Sequence, residues 1–239
     1  MFLTIKKYDL ITCALAVILS VITFNYIKEG TDTVITSTVP VSGKVIVIDA
    51  GHGYPDGGAV GISGASEKEL NLSVSFKLQN LLEKSGASVL LTRADDNAVV
   101  EDLDKKIKQL KREDLKNRNE LKNNSNCDAF VSIHMNKYTD SRYSGAQVFC
   151  SKEPSGSRIL GEKIQASLKA VVDPSNNRTA KTTDGNIFIL KDSKVPSVIV
   201  ECGFLSNSAE EELLQQEAYQ EKLAFAIYSG IMDFMNTQK

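Results

Sequence analysis

The sequence predicts a three-layer α/β domain, a mostly parallel sheet covered by helices on both faces, preceded by an N-terminal transmembrane helix. Three observations carry this. From about residue 44 onward, short apolar runs alternate with longer segments of helical periodicity. The runs are continuously apolar, as strands buried on both faces require. Residues 10–27 form an uncharged stretch that reaches the length of a membrane span.

Taken in order, Lys6 and Lys7 precede that stretch, which favours an N-terminus inside and a body outside the cytoplasm. Bulky Phe24, Asn25 and Tyr26 stand where a cleavage site would need small residues. An uncleaved anchor is therefore preferred to a removed signal sequence over residues 1–29. Residues 30–43, polar, β-branched and interrupted by Pro40, read as an extended linker. The domain is expected over 44–239.

Within it, residues 45–49 read as a strand ending at glycines. A helix follows over 67–85, with Leu70, Val74, Leu78 and Leu81 on one face and Gly86 as its stop. Strands are expected at 88–92, 129–133, 146–150, 187–190 and 197–200. The charged segment 101–122 reads as a solvated helix or helical pair. Residues 157–171 form a helix with Ile159, Ile164 and Leu168 inward. Ser208 is placed to cap the last helix, with Glu211 as its capping-box partner and Leu213, Leu223, Ile227 and Ile231 along its apolar face.

The chain has 239 residues, 42% hydrophobic, with a formal net charge of −2. Such a core needs no disulfides or metal to fold. The charge excludes a nucleic-acid binder relying on a broad basic surface. The 4 Cys include no CxxC pair and are too few for a disulfide scaffold. Cys127, Cys150 and Cys202 lie beyond the anchor, an odd number whose pairing the sequence leaves open.

With only 2 His in the chain, their placement is informative. His52 follows the first strand in Asp49-Ala50-Gly51-His52-Gly53, and His134 follows the strand at 129–133. Ligands of open α/β sheets gather beyond the carboxyl ends of strands. A bland reading makes His52 a loop residue bonded to Asp49 and His134 a buried residue satisfied by backbone, but their matched positions point to one crevice. A zinc ion takes neutral imidazoles and often a carboxylate, leaving a position for water. Glu67 and Glu69, after a Gly-rich loop, are equal claimants for the third ligand. Glu201, after Val198-Ile199-Val200, would be costly if buried unpaired, and beside a metal it suits a general base. The glycines after Asp49 lack the G-x-G-x-x-G of a dinucleotide site.

These stretches resemble the zinc-dependent N-acetylmuramoyl-L-alanine amidases of the Amidase_3 type. The matching residues are Ile48-Asp49-Ala50-Gly51-His52-Gly53, Asp56-Gly57-Gly58-Ala59, Glu67-Lys68 with Asn71-Leu72, Leu91-Thr92-Arg93, Val131-Ser132-Ile133-His134-Met135-Asn136, and Val200-Glu201-Cys202-Gly203-Phe204-Leu205-Ser206-Asn207. The resemblance implies that His52, Glu67 and His134 ligate one Zn2+, that Glu201 is the catalytic carboxylate, and that peptidoglycan is the substrate. It selects Glu67 over Glu69. Arg93 and Asn136 match family positions without an assigned role, and Tyr54 departs from the glycine common there. A single exported domain with Cys202 after the glutamate is most similar to the germination-specific branch of spore formers. That branch strips peptides from muramic acid so that muramic δ-lactam can form in the cortex. A vegetative or daughter-cell-separating amidase is the alternative. The expected location is the cell or forespore envelope, with an accessory envelope protein open.

Two rivals lie outside that family. A cysteine hydrolase would use Cys202 as nucleophile, but consecutive strand residues face opposite sides, so Cys202 and Glu201 cannot both address the crevice. A non-catalytic wall-binding module would not need Glu201.

Overall fold

The computed structural model describes residues 39–100, 105–183 and 185–238. The expected membrane helix, most of the linker and residues 101–104 lie outside them. No helix among the described residues is long and apolar enough to cross a membrane. The elements are β1 (Val45–Ala50), α1 (Glu67–Lys84), β2 (Ser88–Leu91), α2 (Ile107–Asn124), β3 (Ala129–Asn136), β4 (Gln147–Cys150), α3 (Gly156–Val171), β5 (Lys181–Thr182), a 3-10 helix (Phe188–Leu190), β6 (Ser197–Phe204), α4 (Ser208–Leu214) and α5 (Glu217–Asn236).

The six strands run in the order β2-β1-β3-β6-β4-β5. β1 pairs parallel with β2 and β3, and β3 with β6; β4 is antiparallel to β6 and β5 parallel to β4. Alternate strand residues divide the core. Ile46, Ile48, Val131, Ile133, Val148 and Val200 pack under α1, α3 and α5 with Leu78, Leu160, Ile164 and Ile227. Val47, Phe130 and Ile199 face α2 and the 3-10 helix, with Leu121, Ile189 and Leu190 against them. The packed structure reaches back to Val41, which is fully buried, in a turn closed by Ser42 N–H donating to Val39 O.

Several sequence expectations are corrected. Residues 187–190 do not form a strand. Their carbonyls accept side-chain donors instead: Lys122 Nζ bonds Ile189 O at 2.6 Å, and Ser151 Oγ bonds Leu190 O at 2.6 Å. That leaves the segment curled into the 3-10 turn. α4 is capped by Asn207, not Ser208. Its side chain accepts the N–H groups of Ala209 and Glu210, while Glu211 turns away to accept from Ser63 N and Oγ. The last helix is two, separated where Gln216 takes an extended conformation and Gln220 Nε2 donates to Leu214 O at 2.8 Å. Ile159 is exposed; Leu160 fills the inward position. The charged helix is not merely solvated, because Asp114, Arg118 and Lys122 on one side of α2 are buried.

Candidate active site

From β1 the chain crosses to β2 on one side, and β3 and β6 extend the sheet on the other. The crevice at such a reversal is where open α/β sheets take ligands. His52 follows β1 at this point. His134 lies within β3 and is the register partner of Glu201 in β6, which in turn pairs with Gln147 in β4. Residues two apart share a sheet face, so Asp49, Ser132, His134, Glu201 and Gln147 stand on the α2 side, in line with Val47, Phe130 and Ile199.

The loop after β1 brings the two histidines to Glu67. His52 takes a left-handed backbone, φ 63°, and its ring centroid lies 5.0 Å from that of His134. Glu67 Oε1 is 3.2 Å from His52 Nε2 and 3.0 Å from His134 Nδ1. Met135 N donates to Oε1 at 3.2 Å and Ala59 N to Oε2 at 2.7 Å. Glycine is required at two close approaches. A Cβ on Gly51 would run into the His134 ring, and one on Gly58, which has φ +69°, would meet Glu67 Oε2 and His52. Burial alone would raise the Glu67 pKa, yet bonds to both imidazoles hold it well below the usual range. For His52, burial would lower the pKa, but Asp56 and Glu67 outweigh it and lift it to about 9. Asp56 Oδ2 holds His52 Nδ1 at 3.1 Å, and Asp56 Oδ1 pairs with Lys111 at 2.8 Å. An acid on Nδ1 turns Nε2 toward Glu67 and His134, the arrangement that orients metal-binding imidazoles.

The donor atoms of His52, Glu67 and His134 lie within 4.8 Å of one another, and among the described residues they form the one cluster able to hold a metal ion. Two imidazole nitrogens and a carboxylate oxygen fit zinc chemistry. Glu69 is exposed and takes no part.

Asp49 is not the partner of His52. It receives Arg118 Nη1 at 2.6 Å, Thr92 Oγ1 at 2.7 Å and Ser132 Oγ at 2.5 Å. Arg118 also donates to Ala50 O at 2.8 Å and His52 O at 2.6 Å, while Arg93 donates to Ala50 O at 2.9 Å and Gly51 O at 3.1 Å. Every carbonyl from Ala50 to His52 thus receives a guanidinium N–H.

Glu201 is partly buried. Its Oε2 is sealed from solvent and has no hydrogen-bond partner among the described residues. Burial raises its pKa, and the Glu67 charge adds to the rise while the histidines oppose it. Cys202 is fully buried, and burial pushes its thiol pKa far up. Cys127, Cys150 and Cys202 are all free. The sequence marks Asp56, four residues after His52, only as part of a matching motif with no role of its own, and does not mark Arg118 at all. The Asp114–Arg118 spacing of i, i+4 on a charged helix was the available signal for the latter.

A profile of the N-acetylmuramoyl-L-alanine amidase family, Amidase_3, matches residues 46–233. The germination-specific N-acetylmuramoyl-L-alanine amidase of Bacillus subtilis is 34% identical over 229 residues, covering 96% of this chain and 95% of that protein. The CwlD amidase from Clostridioides difficile, solved in complex with the GerS lipoprotein, is 47% identical with a TM-score of 0.79, covering 81% of this chain and 99% of its own. An N-acetylmuramoyl-L-alanine amidase from Clostridium difficile 630 superposes with TM-score 0.71 at 28% identity, covering 82% of this chain and 98% of that one. The fold and the crevice define an α/β protein with a metal-type site. The chain belongs to the N-acetylmuramoyl-L-alanine amidase family.

Proposed function

We propose that this chain is a zinc-dependent amidase. It hydrolyses the amide between the lactyl group of N-acetylmuramic acid and the L-alanine of the peptide stem. The observation that carries the reading is the convergence of His52, Glu67 and His134 donor atoms within 4.8 Å in a chain of this family. His52 through Nε2, Glu67 through Oε1 and His134 through Nδ1 would hold the ion and leave a coordination position open. When bound, zinc supplies Lewis-acid polarisation of the amide carbonyl and acidifies a water.

Glu201 accepts the proton of the attacking water and returns it to the departing alanine nitrogen. Burial raises its proton affinity, which suits a group that must hold a proton between the two transfers. Asp56 keeps the His52 ring turned, and Arg93 and Arg118 fix the loop that carries it.

The Bacillus subtilis relative named for germination supports a role in spore cortex, where removal of stem peptides precedes muramic δ-lactam formation. It also supports an envelope location outside the cytoplasm; the uncharged run 10–27 supports residues 1–29 as anchor, followed by a linker that ends before the buried Val41 and then the catalytic domain. The lipoprotein bound to the Clostridioides difficile neighbour favours an accessory envelope protein for this chain too.

The test is mass spectrometry of purified cortex digested by the full chain, after chelation and with zinc restored. Peptides with a free L-alanine amine, released only with zinc, are the expected product. Cut glycan, cut cross-links, or cleavage unaffected by chelation would overturn the reading.

A further inference from the structure

The crevice continues past Glu201. Gln147 lies opposite Glu201 in the antiparallel β4–β6 pair and so shares its face. The Gln147 side-chain oxygen accepts Arg178 Nη1 at 2.9 Å, and its Nε2 donates to Thr179 O at 3.0 Å. Arg178 Nε donates to Ser144 O at 2.8 Å. The guanidinium lies 4.8 Å from the Phe204 ring centroid and 5.9 Å from that of Tyr143. Phe204 pairs with Asn136, which shares the His134 face of β3, so the ring supports Arg178 on the crevice side. A polar row therefore runs from the histidine cluster through Glu201 and Gln147 to Arg178.

Among the described residues Arg178 has no carboxylate within ion-pair distance. Glu210 feels its charge, but the Glu210 oxygens each accept a backbone N–H, from Gly145 and Phe204, both at 2.8 Å. Arg178 is half-buried and held in place by neutral acceptors and a ring face. Of the five N–H donors of a guanidinium, those left over form a fork suited to a planar anion.

Substrate chemistry says which anion. In the amide-linked polymer the lactyl carboxyl is consumed and the N-acetylated sugars are neutral, so the stem peptide carries the carboxylates. We propose that Arg178 binds a carboxylate of that stem, on a residue following alanine, and makes the enzyme selective for acidic stems. Adjacent strands are about 4.8 Å apart, so the fork stands roughly 10 Å from Glu201, within about three extended residues of the scissile amide. The inference rests on the amidase reading.

The experiment compares two muramyl tetrapeptides, one with free carboxylates and one with every carboxylate converted to carboxamide. Turnover is measured on the zinc-loaded full chain. Equilibrium binding is measured in a Glu201→Gln background. The native residue should favour the acid form by about tenfold or more, mainly in KM and Kd. Arg178→Gln should reduce that preference to within about twofold, and Arg178→Lys should keep part of it. A general loss of packing would weaken both peptides alike and leave their ratio intact. An acid preference that survives Arg178→Gln overturns the proposal. If neither peptide is cleaved but Arg178→Gln still abolishes an acid preference in binding, the amidase reading fails and the anion site stands.

Discussion

The two faces of the sheet are built from the same strands and do opposite things. Beneath α1, α3 and α5, alternate residues of β1, β3, β4 and β6 are aliphatic and fully buried, and they meet aliphatic side chains from the helices. On the α2 side the apolar positions give way to Asp49, Ser132, His134 and Glu201 toward the carboxyl ends of the parallel strands, with Gln147 beside them at the amino end of antiparallel β4. Helix α2 answers with Arg118 and Lys122, themselves buried. The apolar face is mostly a matter of side-chain shape, with a few buried polar groups such as Asn71 and Gln165 bonded to backbone. The polar face must satisfy hydrogen bonds and charge as well; among the described residues the buried side-chain oxygens without a partner are Glu201 Oε2 on this face and Asn71 Oδ1 of α1. One side holds the domain together, and the other keeps a buried carboxylate oxygen, Glu201 Oε2, without a partner among the described residues. A period of two lets one strand serve both ends.

Four changes sharpen or break this contrast. Glu201→Gln should lower turnover by about a thousandfold with zinc content unchanged by metal analysis; retained turnover would place the base elsewhere. Arg118→Met removes the cationic partner of Asp49, frees the His52 carbonyl and leaves the Ala50 carbonyl to Arg93 alone. It should cost about 3–5 kcal/mol in denaturant unfolding, because a buried charge is left unpaired. Zinc affinity should fall with it, and a purely structural loss would leave the affinity of the folded fraction untouched. Ile164→Ala, on the apolar face, should cost about 2–5 kcal/mol, yet metal content and specific activity of the folded protein should not move.

The smallest effect concerns Lys122. Burial against Ile189 O, Ser193 Oγ and the Phe130 ring lowers its pKa to about 8. The ordinary lysine value is about 10.4, so between the two the unfolded chain binds more protons here than the folded one. Stability should therefore rise with pH over that window relative to Lys122→Met, by at most about 1.4 kcal/mol per pH unit. Below pH 8 both states are protonated and the difference should flatten. A falling slope would mean that the folded protein prefers the ammonium.

The aliphatic face was the more legible in the sequence. Leu70, Val74 and Leu78 repeat at helical spacing, and Val131 and Val200 sit in short, mostly apolar runs. The motif residues were legible as well, since both histidines come after apolar runs, although His134 lies within β3 rather than beyond it. Residues that act through long-range partners were not. Nothing local ties Arg118 to Asp49 across 69 positions, or Arg178 to Gln147 across 31. The segment 187–190 looked like a strand because its composition suits one. Its fate was decided by Lys122, which lies 67 positions before Ile189 and claims its carbonyl. Glu211 suited a capping box three residues after Ser208, and a serine 148 positions away, Ser63, took it instead. Local rules choose well where a segment competes only with itself.

The guanidinium clamp on Ala50, Gly51 and His52 carries one more consequence. Three carbonyls turned toward two permanent cations give the loop its shape as part of folding, including the left-handed turn at His52. An ion arriving there need settle only three side chains, two of them already on a shared carboxylate oxygen. The energetic cost of building the cradle falls on the fold rather than on a metal, so the metal-free protein should take up zinc from dilute solution without first reorganising its backbone.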